Sequence, residues 1–348
     1  MSASTLRAAL LSLFTFLVLV VAKPIISNDP ITVTSVSQNP VIYANFPDPG
    51  LIKVGGTWYA FASRTIGSSV HIQIASSPDF KTWNVVNNTD GSQRDALPVL
   101  PAWVNQTNWG TWAPDVVQLA SNKFVMYFSA ANSPGNTSVP LHHCVAYATA
   151  DNVLGPYIGA ATPFICPLSQ GGAIDPGHFQ DVDGKRYVVY KVDGNSLGHG
   201  GPCGNSVKPI VSTPLMLQQV AADGVTLIGA PRALLDNSGA SDDGIVEAPA
   251  LTRSHHGVYF LFFSSGCFAT STYTVSYATA SSLSGNFTRA PAPLMFTGYD
   301  GFYGPGGADL TPDGSHMVFH AYQGDPGLFS RDMHIATLSF SGAKVSSS

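Results

Sequence analysis

Short stretches in which apolar and small polar residues alternate, separated by Gly, Pro and Asn clusters, run along almost the whole chain. Alternation with a period of two marks half-buried β-strands. Helical periodicity is nearly absent, with one weak patch around Leu215 to Val220 where Pro214 could set a first turn. The strands recur in a fixed order. A proline phrase opens each unit: Asp48-Pro49-Gly50-Leu51-Ile52, Ala113-Pro114-Asp115-Val116-Val117, Asp175-Pro176-Gly177-His178-Phe179, Glu247-Ala248-Pro249-Ala250-Leu251 and Gly304-Pro305-Gly306-Gly307-Ala308. A polar or Gly turn follows, then an aromatic-rich strand: Trp58–Phe61, Phe124–Phe128, Tyr187–Tyr190, Tyr259–Phe263 and Met317–His320. Hairpin turns are explicit at Gly55-Gly56, Asp183-Gly184, His256-Gly257 and Asp313-Gly314.

A repeat of roughly 60 residues occurring five times predicts five equivalent units around an axis. The expected fold is all-β, a five-bladed β-propeller of four-stranded blades, with the first strand of each nearest a central funnel. The fifth blade is short unless the N-terminal strand near Ile31-Thr32-Val33-Thr34 closes it. An elongated β-helix is the alternative, but its repeats are shorter and more uniform.

The chain is 45% hydrophobic and only 11% charged, with 34 Gly and 25 Pro, which fits strands and turns rather than helices or disorder. The net charge of −5, without a basic run, makes neither nucleic acid nor an anionic membrane a natural partner. Arg7 precedes an apolar run from Ala8 to Ala22 that falls short of the ~20 residues a membrane span needs. Residues 1–22 therefore read as a secretory signal peptide, and 23–348 as one extracellular domain, expected to be a monomer. Cys144 and Cys166 fall in the second unit, while Cys203 and Cys267 lie in loops of adjacent units, so Cys144–Cys166 and Cys203–Cys267 are the expected disulfides. Acceptor sequons for N-glycosylation begin at Asn87, Asn105, Asn136 and Asn286.

Three of the five openings carry a carboxylate, at Asp48, Asp175 and Glu247. Equivalent positions of a radial fold meet at its centre, so the three acids are expected in one pocket. Glu247 lies between Val246 and Ala248, where burial would raise its pKa, whereas Asp242 and Asp243 belong to a polar, solvated loop. Asp115 follows its proline instead of preceding it, and reads as a structural residue facing away from the pocket.

The phrases Phe46-Pro47-Asp48-Pro49-Gly50, Trp112-Ala113-Pro114-Asp115, Ala173-Ile174-Asp175-Pro176, Val246-Glu247-Ala248-Pro249 and Val318-Phe319-His320-Ala321-Tyr322 resemble glycoside hydrolase family 43, in that family's order and over essentially the whole mature chain. The resemblance implies a five-bladed propeller that hydrolyses arabinose- or xylose-containing plant polysaccharides with inversion. Carried over by motif, Asp48 would be the general base and Glu247 the general acid. Asp175 would position Glu247 and, as a like charge, keep it protonated. Trp112 would present its ring to the sugar or pack in the core. His320 would contact substrate, water or a metal ion, or be a satisfied core group. Arg331 would contact substrate or serve as an ion-pair partner.

No cofactor is required; a structural calcium or other ion near the axis is the most that is implied. Many arabinan-acting members have a His after the Gly-Pro-Gly of the fifth blade, where this chain has Gly307. An exo-acting α-L-arabinofuranosidase is the leading expectation. A β-xylosidase or endo-arabinanase is the alternative within the family, and a non-catalytic glycan-binding propeller the alternative from another class.

Overall fold

A computed structural model describes residues 31–132, 141–322 and 330–341. The leader and Asn136 lie outside these residues. Among the described residues, twenty-one strands form five antiparallel sheets around an axis. Blade one is β3 (Gly50–Val54), β4 (Thr57–Ala62), β5 (Gln73–Ser77) and β6 (Asn84–Val85). Blade two is β7 (Trp112–Ala120), β8 (Lys123–Ala131), β9 (His143–Ala150) and β10 (Ile158–Gly159). Blade three is β11 (Ala173–Gln180), β12 (Arg186–Val192), β13 (Leu215–Val220) and β14 (Leu227–Leu235). Blade four is β15 (Val246–Arg253), β16 (Tyr259–Ser265), β17 (Thr274–Ala280) and β18 (Thr288–Arg289).

Blade five joins β19 (Tyr303–Leu310), β20 (His316–Tyr322) and β21 (Arg331–Phe340) to the N-terminal strand β1 (Ile31–Val36), with β2 (Ile42–Asn45) also paired to β21. The register runs Ile31 with Phe340 through Val36 with Ala336. The N-terminal strand thus closes the last blade, and two distant parts of the chain hold the ring shut.

Each predicted aromatic strand is the second of its blade, where it pairs on both edges and is buried on both faces. The core consists of seams between adjacent blades. Phe61, Ile72 and Ile74 of blade one meet Phe124, Met126 and Phe128 of blade two; Phe260 and Phe262 of blade four meet Met317 and Phe319 of blade five. The turn Gly55-Gly56 joins β3 to β4 in two residues with φ of 56° and 90°, a conformation only glycine adopts without strain. The patch at Leu215 to Val220 is strand β13, not helix. Its register with β12 and β14 decides the conformation that a short apolar run leaves open.

Both expected disulfides are formed, Cys144 with Cys166 and Cys203 with Cys267, the second tying loops of blades three and four. Asn87 and Asn286 are exposed, and Asn105 is half-buried with its side-chain oxygen accepting from Thr107 and Asn108.

Candidate active site

Every first strand breaks its ladder near the axis at one repeated place. Before the break Trp112 pairs with Ser129, Ile174 with Lys191, Glu247 with Ser264 and Gly306 with His320. After it Asp115 pairs with Tyr127, Gly177 with Val189, Ala250 with Phe262 and Asp309 with Val318. Blade one keeps the same spacing, with Ser63 N–H donating to the Pro47 carbonyl and Gly50 paired with Phe61. The first unpaired residue of each break has positive φ: Asp48 54°, Ala113 43°, Asp175 55°, Ala248 48° and Gly307 56°. For a side chain with a Cβ this region costs about 1–2 kcal/mol. A positive φ repeated at one position on every blade, strained on all but the glycine of blade five, is how the fold bends its innermost backbone around the axis.

This register corrects two expectations. The fifth unit's equivalent of Asp48-Pro49-Gly50 is Gly307-Ala308-Asp309, not Gly304-Pro305-Gly306. Glu247 lies one residue before the break, sharing its position with Trp112, Ile174 and Gly306, so the three acids come from two registers. The five breaks line an axial cavity whose wall includes Asp48 and Asp175 but not Glu247. Asp115 also lines it, rather than facing away, and accepts hydrogen bonds from His178 N–H and from His178 Nδ1 at 2.7 Å. Asp242, expected in solvent, is buried against Arg289 at 2.8 Å.

Asp48 is held as a carboxylate. Burial works against its charge, but Arg331 at 3.0 Å from Oδ1 and the Ser63 hydroxyl at 2.7 Å from Oδ2 outweigh it and lower its pKa. Arg331 forms this ion pair with Asp48 while lying over the Phe268 ring, 4.9 Å from its centroid. Asp175 behaves oppositely. Burial first, then the neighbouring Glu247 carboxylate, pushes its pKa up to about 8. Its Oδ2 accepts the Ala248 amide at 2.9 Å, the residue following Glu247. Glu247 receives Tyr273 OH on Oε1 at 2.8 Å and Lys191 Nζ on Oε2 at 3.0 Å. Burial and the nearby Glu247 carboxylate thus favour the protonated form of Asp175.

His320 is fully buried under Asp48. Its Nδ1 accepts the Asp48 amide at 3.0 Å, and burial followed by Arg331 drives its pKa down to about 3, so the ring is neutral and its proton sits on Nε2. A protonated Nε2 cannot ligate a cation. Among the described residues no group of three or more His, Cys, Asp or Glu side chains is placed to hold a metal. The expected calcium is thus without support at His320, whose Nε2 is buried with no hydrogen-bond partner among the described residues.

The His320 ring stacks on Tyr273, with centroids 5.8 Å apart, so Asp48, His320, Tyr273 and Glu247 form one continuous wall. The fifth-blade glycines make that wall possible. A Cβ on Gly306 would lie 2.0 Å from the Tyr273 ring; one on Gly307 would lie 2.6 Å from the His320 ring and 3.0 Å from Asp48 Oδ1. Any side chain at Gly307, including the His of arabinan-acting relatives, would displace His320 or Asp48. Trp112 is half-buried and stacks on His143 with centroids 3.8 Å apart.

Ser63, Lys191 and Tyr273 were not singled out from the sequence. For Lys191 a signal was present, a lone cation after Tyr187-Val188-Val189-Tyr190 at the register of Ser129 and Ser264.

The fold recurs in solved structures: a thermostable family-43 glycoside hydrolase (TM-score 0.65, 24% identity, 86% of this chain and 90% of that one) and the native Bacillus subtilis arabinanase Arb43A (TM-score 0.60, 20%, 89% and 97%). Among curated proteins the chain is similar to extracellular endo-α-(1→5)-L-arabinanase 1 of Bacillus subtilis strain 168, 27% identical over 82% of this chain and 84% of that protein. The corresponding enzyme of Thermotoga petrophila is 28% identical over 41% of this chain, and the xylan 1,3-β-xylosidase of a Vibrio species 26% over 66%. The chain spans only 33% and 38% of the lengths of those last two. These names match the endo-arabinanase and xylosidase alternatives, not the exo-arabinofuranosidase expected first. The model of glycosyl hydrolases family 43 matches residues 37–342, and the chain belongs to that family.

Proposed function

We propose that this protein is a secreted, inverting glycoside hydrolase acting on arabinofuranosyl linkages of plant arabinan, with xylosyl linkages the second reading. The observation that carries the proposal is a pair of unlike carboxylates on one wall: Asp48, held ionised by Arg331 and Ser63, and Glu247, capped by Tyr273 and set beside the Asp175 carboxyl that holds the Ala248 amide. Inversion uses one carboxylate of each kind. Asp48 takes a proton from water as the water oxygen bonds to the anomeric carbon. Glu247 gives its proton to the glycosidic oxygen, which leaves with the electron pair of the broken C–O bond. Asp175 acts on Glu247 through the Ala248 amide and by like charge. Trp112 offers its ring as a sugar platform.

The family phrases around Phe46-Pro47-Asp48-Pro49 and Trp58-Tyr59-Ala60-Phe61 favour exo action on one terminal sugar. The endo-arabinanase relatives favour internal cleavage instead. Linear α-1,5-arabino-oligosaccharides decide the matter: arabinose as sole early product supports exo action, and mixed oligomers overturn it. Export is supported by the extracellular arabinanase relatives, the two disulfides and the Ala8–Ala22 leader.

The acid assignment is tested with Glu247→Gln. Loss of about 10²–10⁴-fold is expected on unactivated oligosaccharides and much less on 4-nitrophenyl glycosides, whose leaving group needs no proton. Equal losses on both would remove Glu247 from that role. NMR of the first-formed sugar should show the inverted anomer.

A further inference from the structure

The repeated register exposes one blade that breaks its own rule. Ser63, Ser129, Ser264 and His320 occupy equivalent places at the ends of the second strands. Each accepts the amide of the break residue on the next blade: Ala113 at 2.8 Å, Asp175 at 2.9 Å, Gly307 at 2.9 Å and Asp48 at 3.0 Å. The fifth such place belongs to Lys191, whose ammonium has no lone pair to offer. The orphaned amide, Ala248 N–H, turns to Asp175 Oδ2. Lys191 has no exposed surface at all, a costly place for an ammonium, and three other blades fill the same place with serine. Packing therefore does not call for it. Its Nζ reaches Glu247 Oε2 at 3.0 Å and Asp193 Oδ1 at 3.2 Å.

We propose that Lys191 is a positioning residue for hydrolysis: it fixes the Glu247 carboxylate from beneath, strengthens Glu247 as an acid, and by vacating the acceptor place commits Asp175 to the Ala248 amide. The inference rests on Glu247 being the proton donor. The groups facing Glu247 are Lys191 from β12, Tyr273 ahead of β17, and Asp175 from β11, with Asp48 and Arg331 across the wall and Asp193 behind the lysine. Lys191 places a positive charge directly against the Glu247 carboxyl. When the proton passes to the glycosidic oxygen, the Glu247 anion formed lies against a cation already in contact. Burial disfavours the lysine's charge, but Glu247, Asp193 and Asp175 more than offset it and raise its pKa, so the cation persists over the working pH range.

Two variants test this. Lys191→Ser installs the residue of three equivalent places and restores an acceptor for the Ala248 amide; Lys191→Arg keeps the charge. For Lys191→Ser the alkaline limb of the kcat/KM profile should move up by about one pH unit or more. Its kcat on unactivated oligosaccharides should fall ~100-fold, with a loss several-fold smaller on 4-nitrophenyl glycosides. Lys191→Arg should keep the limb in place and recover part of the rate. A folded Lys191→Ser enzyme with an unmoved limb, or with equal losses on both substrates, overturns the proposal. If neither variant folds, ¹³Cε-lysine NMR of the unmodified protein substitutes. The Lys191 resonance should titrate with the acid pair and cease to do so in Glu247→Gln; a resonance flat through the active pH range overturns it. If Glu247→Gln leaves turnover of unactivated substrates intact, the underlying reading fails instead.

Discussion

Asp175 makes the stability of the fold depend on pH. Its folded pKa of about 8 lies above the unfolded carboxylate value near 3.9, so the folded state binds the extra proton between those limits. Stability from this group is fully present below pH ~4 and lost as pH rises toward 8. Asp175→Asn keeps an acceptor for the Ala248 amide and removes the titration. Its Tm should match the parent near pH 4 and exceed it increasingly up to pH 8, by roughly 2–4 °C per kcal/mol relieved, while hydrolysis falls. A Tm difference that stays constant across pH would show that Asp175 is not the proton holder. Asp48→Asn tests the opposite charge state: its turnover should drop by about 10²–10⁴-fold even on 4-nitrophenyl glycosides, because the water still needs a base.

At this scale Asp48 and Asp175 were legible in the sequence because each precedes a proline in the repeat. Their partners were not. Arg331 and His320 could be named from motif but not paired with Asp48, since neither alternation nor spacing fixes contacts between blades. Asp115 misled for the same reason: its offset from the proline implied an outward face, whereas the break in the ladder sends it to the axis.

The informative element is β19, where two adjacent glycines make room for two different rings. Gly306→Ala would push Tyr273 off Glu247, and Gly307→Ala would crowd His320 and Asp48 while adding a strained φ worth about 1–2 kcal/mol. Both are expected to lower kcat more than KM, with Gly307→Ala also lowering Tm. Unchanged kcat in both would separate the wall from the chemistry. The Cys203–Cys267 bond closes a 64-residue separation between blades three and four. Replacing both cysteines by serine should cost on the order of 4 kcal/mol by the chain-entropy estimate, read as a lowered denaturation midpoint in non-reducing buffer. Second strands and hairpins were legible because period-two aromatic runs end at Gly pairs. The Leu215–Val220 strand was not, because six residues hold too little of either period and only pairing with β12 and β14 settles them.

For the molecule as a whole, five proline phrases sufficed to give the blade count and the closing role of residues 31–34. Removing residues through Val36 should strip β21 of its partner, expose Ile31's place in the seam of blades four and five, and leave an open sheet edge. A lower Tm together with concentration-dependent aggregation is the expected outcome; an unchanged Tm and solubility would mean that β2 alone secures the ring.

The pairing of Ile31 with Phe340 has a consequence for synthesis. Ile31 leaves the ribosome ahead of all five blades' inner strands but finds its neighbour only when β21 has emerged, so this contact waits on synthesis of the whole intervening propeller. Until then four blades can assemble in sequence, but the circle stays unfastened, with an unpaired strand at each extremity open to chaperones, or to a second unfinished chain.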